Sequence, residues 1–275
     1  MFQHAVVGVD FSPATEALVA CLPELRRLGT DTLTLVYVAS VAYPSGSAIA
    51  HEGHYRDRLD GLAAALTEHG FDARGEVVVG YPEADLVAAA KRHDADLIVV
   101  GSRGESTLKR WFLGSTALEV VRRSLLPVLL ERIEPVSDEA YAAVCERAFR
   151  RVLLATDVSA EAERATEVAL ELAQRSDSFA IVTVLDRPEA GDEARAREQL
   201  ARVADRAGGA VQVHVRAGQA ASEQITEVAL SEDASLVVVG KRGQGLVHDR
   251  LLGSTAEEVV EHGRVSVLVV PAMTE

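Results

Sequence analysis

Apolar residues run without interruption through short stretches of this chain, and between those stretches they recur every three or four positions. The uninterrupted runs are HAVVGVD (4–10), TLTLVYV (32–38), GEVVVG (75–80), DLIVVG (96–101) and PVLLE (127–131). They return as RVLLATD (151–157), FAIVTVL (179–185), AVQVHV (210–215), SLVVVG (235–240) and SVLVV (266–270). Runs of this length and β-branched content predict strands buried on both faces. The intervening segments carry a helical period. Leu59, Leu62, Ala63 and Leu66 share one face, and so do Ala165, Val168, Ala169, Leu172 and Ala173. The order is β-α-β-α-β-α-β-loop-α-β, written twice, which predicts an α/β architecture of two doubly wound parallel sheets with helices on both faces.

The repeat extends to single residues. Each half begins with a strand that ends in an aspartate, Asp10 or Asp157, followed two positions later by a serine and then a helix. Ser12 with Pro13 is suited to the N-cap and first turn of one helix, and Ser159 to the cap of its counterpart. After the fourth strand come GSRGESTLKRWFLGST (101–116) and GKRGQGLVHDRLLGST (240–255), identical at seven of sixteen positions. Both keep G-x2-G-x9-G followed by Ser-Thr. Domain boundaries follow at 1–131 and 151–275, and residues 132–150, with Pro135 and the amphipathic SDEAYAAVCERAF, read as a linker carrying one helix.

Length and composition agree with this division. A chain of 275 residues, 48% hydrophobic, can bury two ordinary cores. No apolar run approaches the roughly 18 residues of a membrane span, and the first ten residues lack a leader pattern, so a soluble, cytoplasmic protein is expected. A formal charge of −14 argues against nucleic acid and anionic membrane as partners. Cys21 and Cys145 lack the close spacing of a metal or redox pair, and Cys21, among the apolar positions of a helix, reads as a buried thiol outside any disulfide.

With so acidic a chain, an anionic small ligand has to be held by local backbone dipoles. Ligands of open parallel sheets bind beyond the carboxyl ends of the strands, where the strand order reverses. Asp10 and Gly101 meet there if strands one and four are neighbours. Glycine permits close approach of backbone to ligand, and a helix starting at Ser115 offers N–H groups and a positive dipole end. Gly101, Gly104, Gly114, Ser115 and Thr116 therefore have the makings of a phosphate cradle. Neither a Walker A loop nor a dinucleotide G-x-G-x-x-G after the first strand occurs.

Taken together, VVGVDFS and LLATDVS, DLIVVGSRG and SLVVVGKRG, LGSTALEVV and LGSTAEEVV, and the closing PVLLE resemble the universal stress protein family in its tandem form. The G-x2-G-x9-G-[ST] pattern is similar to that of the family's ATP-binding branch. The resemblance implies the nucleotide-binding α-hydrolase-like sheet, strand order 3-2-1-4-5, with ATP, with or without Mg²⁺, at the ends of strands one and four. Asp10 would accept from the adenine edge, Val38 would meet adenine through its backbone, and Gly8 and Val100 would line the pocket. Gly101, Gly104, Gly114, Ser115 and Thr116 would take ribose and phosphates. In the second half the same roles fall to Ala155, Asp157, Val184, Val239, Gly240, Gly243, Gly253, Ser254 and Thr255.

The function expected from the resemblance is an ATP-binding stress-response sensor or regulator that acts through conformation or an unidentified protein partner. The halves are expected to pair as an intrachain pseudo-dimer through their last strands, with homodimerisation open. A nucleotide hydrolase or adenylate-transferring enzyme with Asp10 or Asp157 on a metal, and a scaffold for another small ligand, are the alternatives. Hydrolysis needs acidic groups for Mg²⁺ and water, and 101–116 contains Glu105 alone. The H-x2-H of His51 and His54 lacks further ligands, and Ser115 and Ser254 lack a nucleophile-elbow context. AYPSGSAIAHEGHY (42–55) is a candidate flap or a plain surface loop. Lys241, in place of Ser102, either reaches a phosphate or lies in solvent.

Overall fold

The structure, a computed structural model, describes residues 1–41, 52–103, 113–136, 141–143, 149–218, 220–243 and 252–272. The chain divides into two units, Met1–Glu146 and Arg147–Glu275.

In the first unit the order is β1 (His4–Val9), α1 (Pro13–Cys21), β2 (Thr32–Ser40), α2 (Glu52–Glu68), β3 (Asp72–Gly80), α3 (Pro82–Arg92), β4 (Leu97–Gly101), α4 (Ser115–Arg123) and β5 (Val128–Glu131). The strands lie parallel in the order β3-β2-β1-β4-β5. Leu97, Ile98, Val99 and Val100 are buried in succession, so both faces of β4 are covered by other parts of the unit. Each such side chain contributes about 1.5–3 kcal/mol of transfer free energy.

The second unit repeats the plan with β8 to β12 once the remaining pair of first-unit strands is counted. That pair is β6 (Ile133–Pro135) and β7 (Tyr141–Ala143), antiparallel to each other. Then follow β8 (Arg151–Ala155), α5 (Glu163–Ala173), β9 (Ser178–Leu185), α6 (Asp192–Ala207), β10 (Val211–Ala217), α7 (Ala221–Ser231), β11 (Leu236–Gly240), α8 (Ser254–His262) and β12 (Ser266–Val270). The parallel order β10-β9-β8-β11-β12 is again 3-2-1-4-5.

Local chemistry explains where the helices begin and end. Pro82 stands in the first turn of α3, Asp85 Oδ2 accepts from the Tyr81 N–H at 2.7 Å, and Lys91 and Arg92 meet the carbonyl end of the dipole. The helix stops where Asp94 turns left-handed at φ 49°, and Asp233 stops α7 at the same φ. Ser159 caps a 3-10 turn leading into α5, its Oγ accepting from the Ala162 N–H. Ser12 occupies the N-cap of α1 as expected, but its hydroxyl makes no cap bond.

Within the segment 132–150, expected to be a linker with one helix, Tyr141–Ala143 forms a strand against Ile133–Pro135, and this pair packs on α1, while 137–140 and 144–148 lie outside the described residues. Cross-strand hydrogen bonding and contact with α1 override the helical composition of that stretch. Cys21, 2% exposed, is disulfide-bonded instead of being a thiol, and Cys145 lies outside the described residues. α1 packs on β7, which ends two residues before Cys145 in sequence. The candidate flap lies outside the described residues up to His51, and Glu52–Tyr55 open α2. No helix among the described residues is long and apolar enough to cross a membrane.

Candidate functional site

Because β1 and β4 are neighbours, the chain leaving β1 at Asp10 and the chain leaving β4 at Gly101 diverge from adjacent strands. A cavity of about 530 Å³ opens between them. Gly8, Asp10, Val38, Val100, Gly101, Gly114, Ser115 and Thr116, eight of the nine positions singled out in the first half, all line it. The ninth, Gly104, lies with Glu105 outside the described residues. A second cavity, of about 580 Å³, occupies the same place in the second unit. Ala155, Asp157, Val184, Val239, Gly240, Gly243, Gly253, Ser254 and Thr255 all line that one.

Each aspartate is fixed by the turn that follows it. Asp10 Oδ1 accepts from the Ser12 N–H and the Thr15 hydroxyl, both at 3.0 Å. Asp157 Oδ1 accepts from the Ser159 N–H at 3.0 Å and from its hydroxyl at 2.6 Å. The residue after each aspartate is left-handed, Phe11 at φ 58° and Val158 at φ 56°. For side chains of this bulk that conformation costs about 1–3 kcal/mol, and it occurs at the same place in both cavities.

A backbone bond ties the start of each helix to the strand end before it, Gly114 N–H to Ser102 C=O at 3.0 Å and Gly253 N–H to Lys241 C=O at 2.9 Å. Gly114 and Gly253 are the N-caps of α4 and α8, so the first-turn N–H groups of both helices belong to cavity-lining residues. Gly114 has an ordinary φ of −62°, and among the described residues a Cβ there would meet only the Ser102 carbonyl oxygen, at 3.9 Å. Neither backbone conformation nor a neighbour among the described residues requires glycine at that point. Gly243 differs, because a Cβ there would stand 2.6 Å from Asp157 Oδ2.

Sequence reasoning passed over several groups at the site. Arg103 and Arg242, identical in the two glycine stretches, line the two cavities. Arg103 Nε–H also donates to the Ile133 C=O at 3.0 Å, and Ile133 N–H donates to Ser102 Oγ at 2.9 Å, which brings the β6–β7 pair to the first cavity. Arg132 is buried beside it. Burial pushes its guanidinium down to about 10, Glu134 opposing and the like charge of Arg103 adding to the shift. Lys241, expected on a phosphate or in solvent, is 1% exposed and lines the second cavity. Among the described residues no cluster of three or more His, Cys, Asp or Glu is placed to hold a metal.

Each site thus joins a turn-held carboxylate, a glycine loop and a helix N-terminus at the carboxyl end of a parallel sheet. The profile of the universal stress protein family matches residues 1–132 and 148–271. A universal stress protein of Mycolicibacterium smegmatis is 29% identical over 293 residues, covering 96% of both chains. One from Mycobacterium tuberculosis is 28% identical over 296 residues, covering 97% of both. In fold, the chain resembles the crystal structure of a universal stress protein from Archaeoglobus fulgidus, with a TM-score of 0.79 over 98% of each chain at 24% identity. With the profile matched across both units, the chain belongs to the universal stress protein family, in a two-domain form.

Proposed function

We propose that both cavities bind an adenine nucleotide, ATP by preference, and that the protein serves as a nucleotide-dependent regulator of a stress response. The observation that carries this reading is Gly114. It caps a helix at an ordinary φ, with no atom of the described residues close to where its side chain would be, and beyond it lies the cavity. A glycine that none of the described residues requires leaves room for a ligand against the helix N-terminus, where N–H groups and the dipole favour an anion.

In this reading the first-turn N–H groups of Ser115, Thr116, Ser254 and Thr255 hold phosphate oxygens, and Arg103 and Arg242 add positive potential in an otherwise acidic molecule. Asp10 and Asp157, each with Oδ1 fixed, present acceptors to the exocyclic amine of adenine. Val38 and Val184 offer backbone at the adjacent strand ends. The groups that line the cavities suit binding and orientation. Mg²⁺, if it accompanies ATP, would be held largely by phosphate oxygens and water, as that ion prefers.

Calorimetric titration of ATP tests the proposal. Two sites per chain are expected, with the nucleotide released by denaturation identified by mass spectrometry. Turnover in excess Mg²⁺ should stay far below the roughly 1–1000 per second of ordinary enzymes. Absence of ATP binding would refute the reading, and turnover in that range would replace it with the enzyme alternative.

A further inference from the structure

The two cavities share their backbone plan but differ in one wall. Pairing of β1 with β2 sets Val9 opposite Tyr37, and the same register in the second unit makes Thr183 the counterpart of Tyr37. Both residues line their cavities. Tyr37 belongs to an aromatic cluster, with the Phe11 ring centroid at 4.9 Å and that of Tyr55, on α2, at 4.4 Å. Phe11 and Tyr55 lie 5.8 Å apart with planes inclined by 11°, and the Arg58 guanidinium carbon stands 4.1 Å from the Phe11 centroid. The second unit has Val158 in place of Phe11 and no aromatic residue in α6.

Three half-buried rings and a cation thus gather where the other half has a valine and a threonine at the places of Phe11 and Tyr37. Aromatics make up only 4% of this chain, so their gathering at one site is a local feature and not a habit of composition. Tyr37 directly precedes Val38, the residue assigned to the base, and the φ of 58° at Phe11 aims its ring back toward Tyr37. Of the cluster Tyr37 lines the cavity, next to the strand residue that the nucleotide reading gives to the base.

We infer that the first cavity strengthens its selection of a purine base by packing it against the Tyr37 wall, a contact that the second cavity lacks. This rests on the nucleotide reading above and deepens it. Phe11 and Tyr55 act as positioning residues that hold the Tyr37 ring. The two sites are accordingly unequal: the first favours purine over pyrimidine nucleotides by a wider margin than the second.

The test is titration with ATP, CTP and inorganic triphosphate of the wild-type protein, Tyr37→Thr and Tyr37→Phe. Tyr37→Thr places in the first half the residue that the second half already carries at this register. Wild type should show a tighter and a weaker ATP site. Base–aromatic contacts make the expected loss in Tyr37→Thr about five- to a hundredfold at the tighter site, with triphosphate binding unchanged and Tyr37→Phe close to wild type. Unchanged ATP binding in Tyr37→Thr, or an equal loss for triphosphate, overturns the aromatic selection while leaving the nucleotide reading standing. A wild-type protein that binds no ATP overturns both.

Discussion

Asp157 and Gly243, 86 residues apart in sequence, are in direct register in space: a Cβ on Gly243 would lie 2.6 Å from Asp157 Oδ2. That distance is below any real contact, so a side chain at 243 must displace a carboxylate whose other oxygen is held by Ser159. The second glycine of the repeated stretch is therefore tied to the aspartate that ends the first strand.

Gly243→Ala should weaken ATP binding in the second half by about ten- to a hundredfold, the value of one or two charge-assisted hydrogen bonds. If it acts through the carboxylate, the same substitution in an Asp157→Ala background should cost little further. A double-mutant cycle by calorimetry reads this coupling, and additive losses would show that glycine 243 acts independently of Asp157.

Asp10→Asn retains an oxygen for the Ser12 N–H and Thr15 hydroxyl while placing a donor where the second carboxylate oxygen was. ATP binding in the first half should fall about tenfold with inorganic triphosphate unaffected, since a donor facing the adenine amine leaves a buried polar pair unmatched. Equal losses for the two ligands would remove the base-reading role.

Glu76 in the middle of β3 and His93 after α3 lie 2.6 Å apart, and the second unit has the pair exchanged, His214 on β10 with Glu232 after α7 at 2.8 Å. Burial works against the Glu76 charge, but hydrogen bonds from His93 and Arg92 outweigh it and lower its pKa. Burial, then the nearby charges of Arg74 and His93, lower that of His4. In both cases the unfolded chain binds the proton more readily than the folded one, so stability is lost as pH falls. The His4 contribution should fade below pH about 6.5 and that of Glu76 below about 4.5. Urea unfolding across pH 3–8 checks this. Glu76→Gln should flatten the lower limb and His4→Gln the upper, whereas profiles parallel to wild type would contradict the assignment.

Much of this was legible in the chain because it is written twice. Continuous apolar runs such as LIVVG and LVVVG admit few readings other than buried parallel strands, and recurrence of Asp10 as Asp157 and Gly101 as Gly240 marked the strand ends that face the cavities. The β6–β7 pair was not legible: three-residue strands hold too little period to outweigh the helical composition around Tyr141–Ala143. Nor was the contact of Gly243 with Asp157, since proximity between distant segments leaves no local signal. The aromatic cluster had one. Phe11 and Tyr37 sit at the carboxyl ends of adjacent strands, and Tyr55 in the first turn of the following helix, so topology alone would have brought them near one another.

The central claim, that the glycine loops and helix N-termini cradle phosphates, is tested most directly by Gly114→Asp combined with Gly253→Asp. Aspartate is among the best N-cap residues, so stability should hold or rise by a few tenths of a kcal/mol at each helix. Its carboxylate would meet the triphosphate as a like charge, at a cost of several kcal/mol. Calorimetric titration of the folded double variant with ATP should therefore show binding weakened by more than about a hundredfold in both halves. Two ATP bound at wild-type affinity would contradict the account.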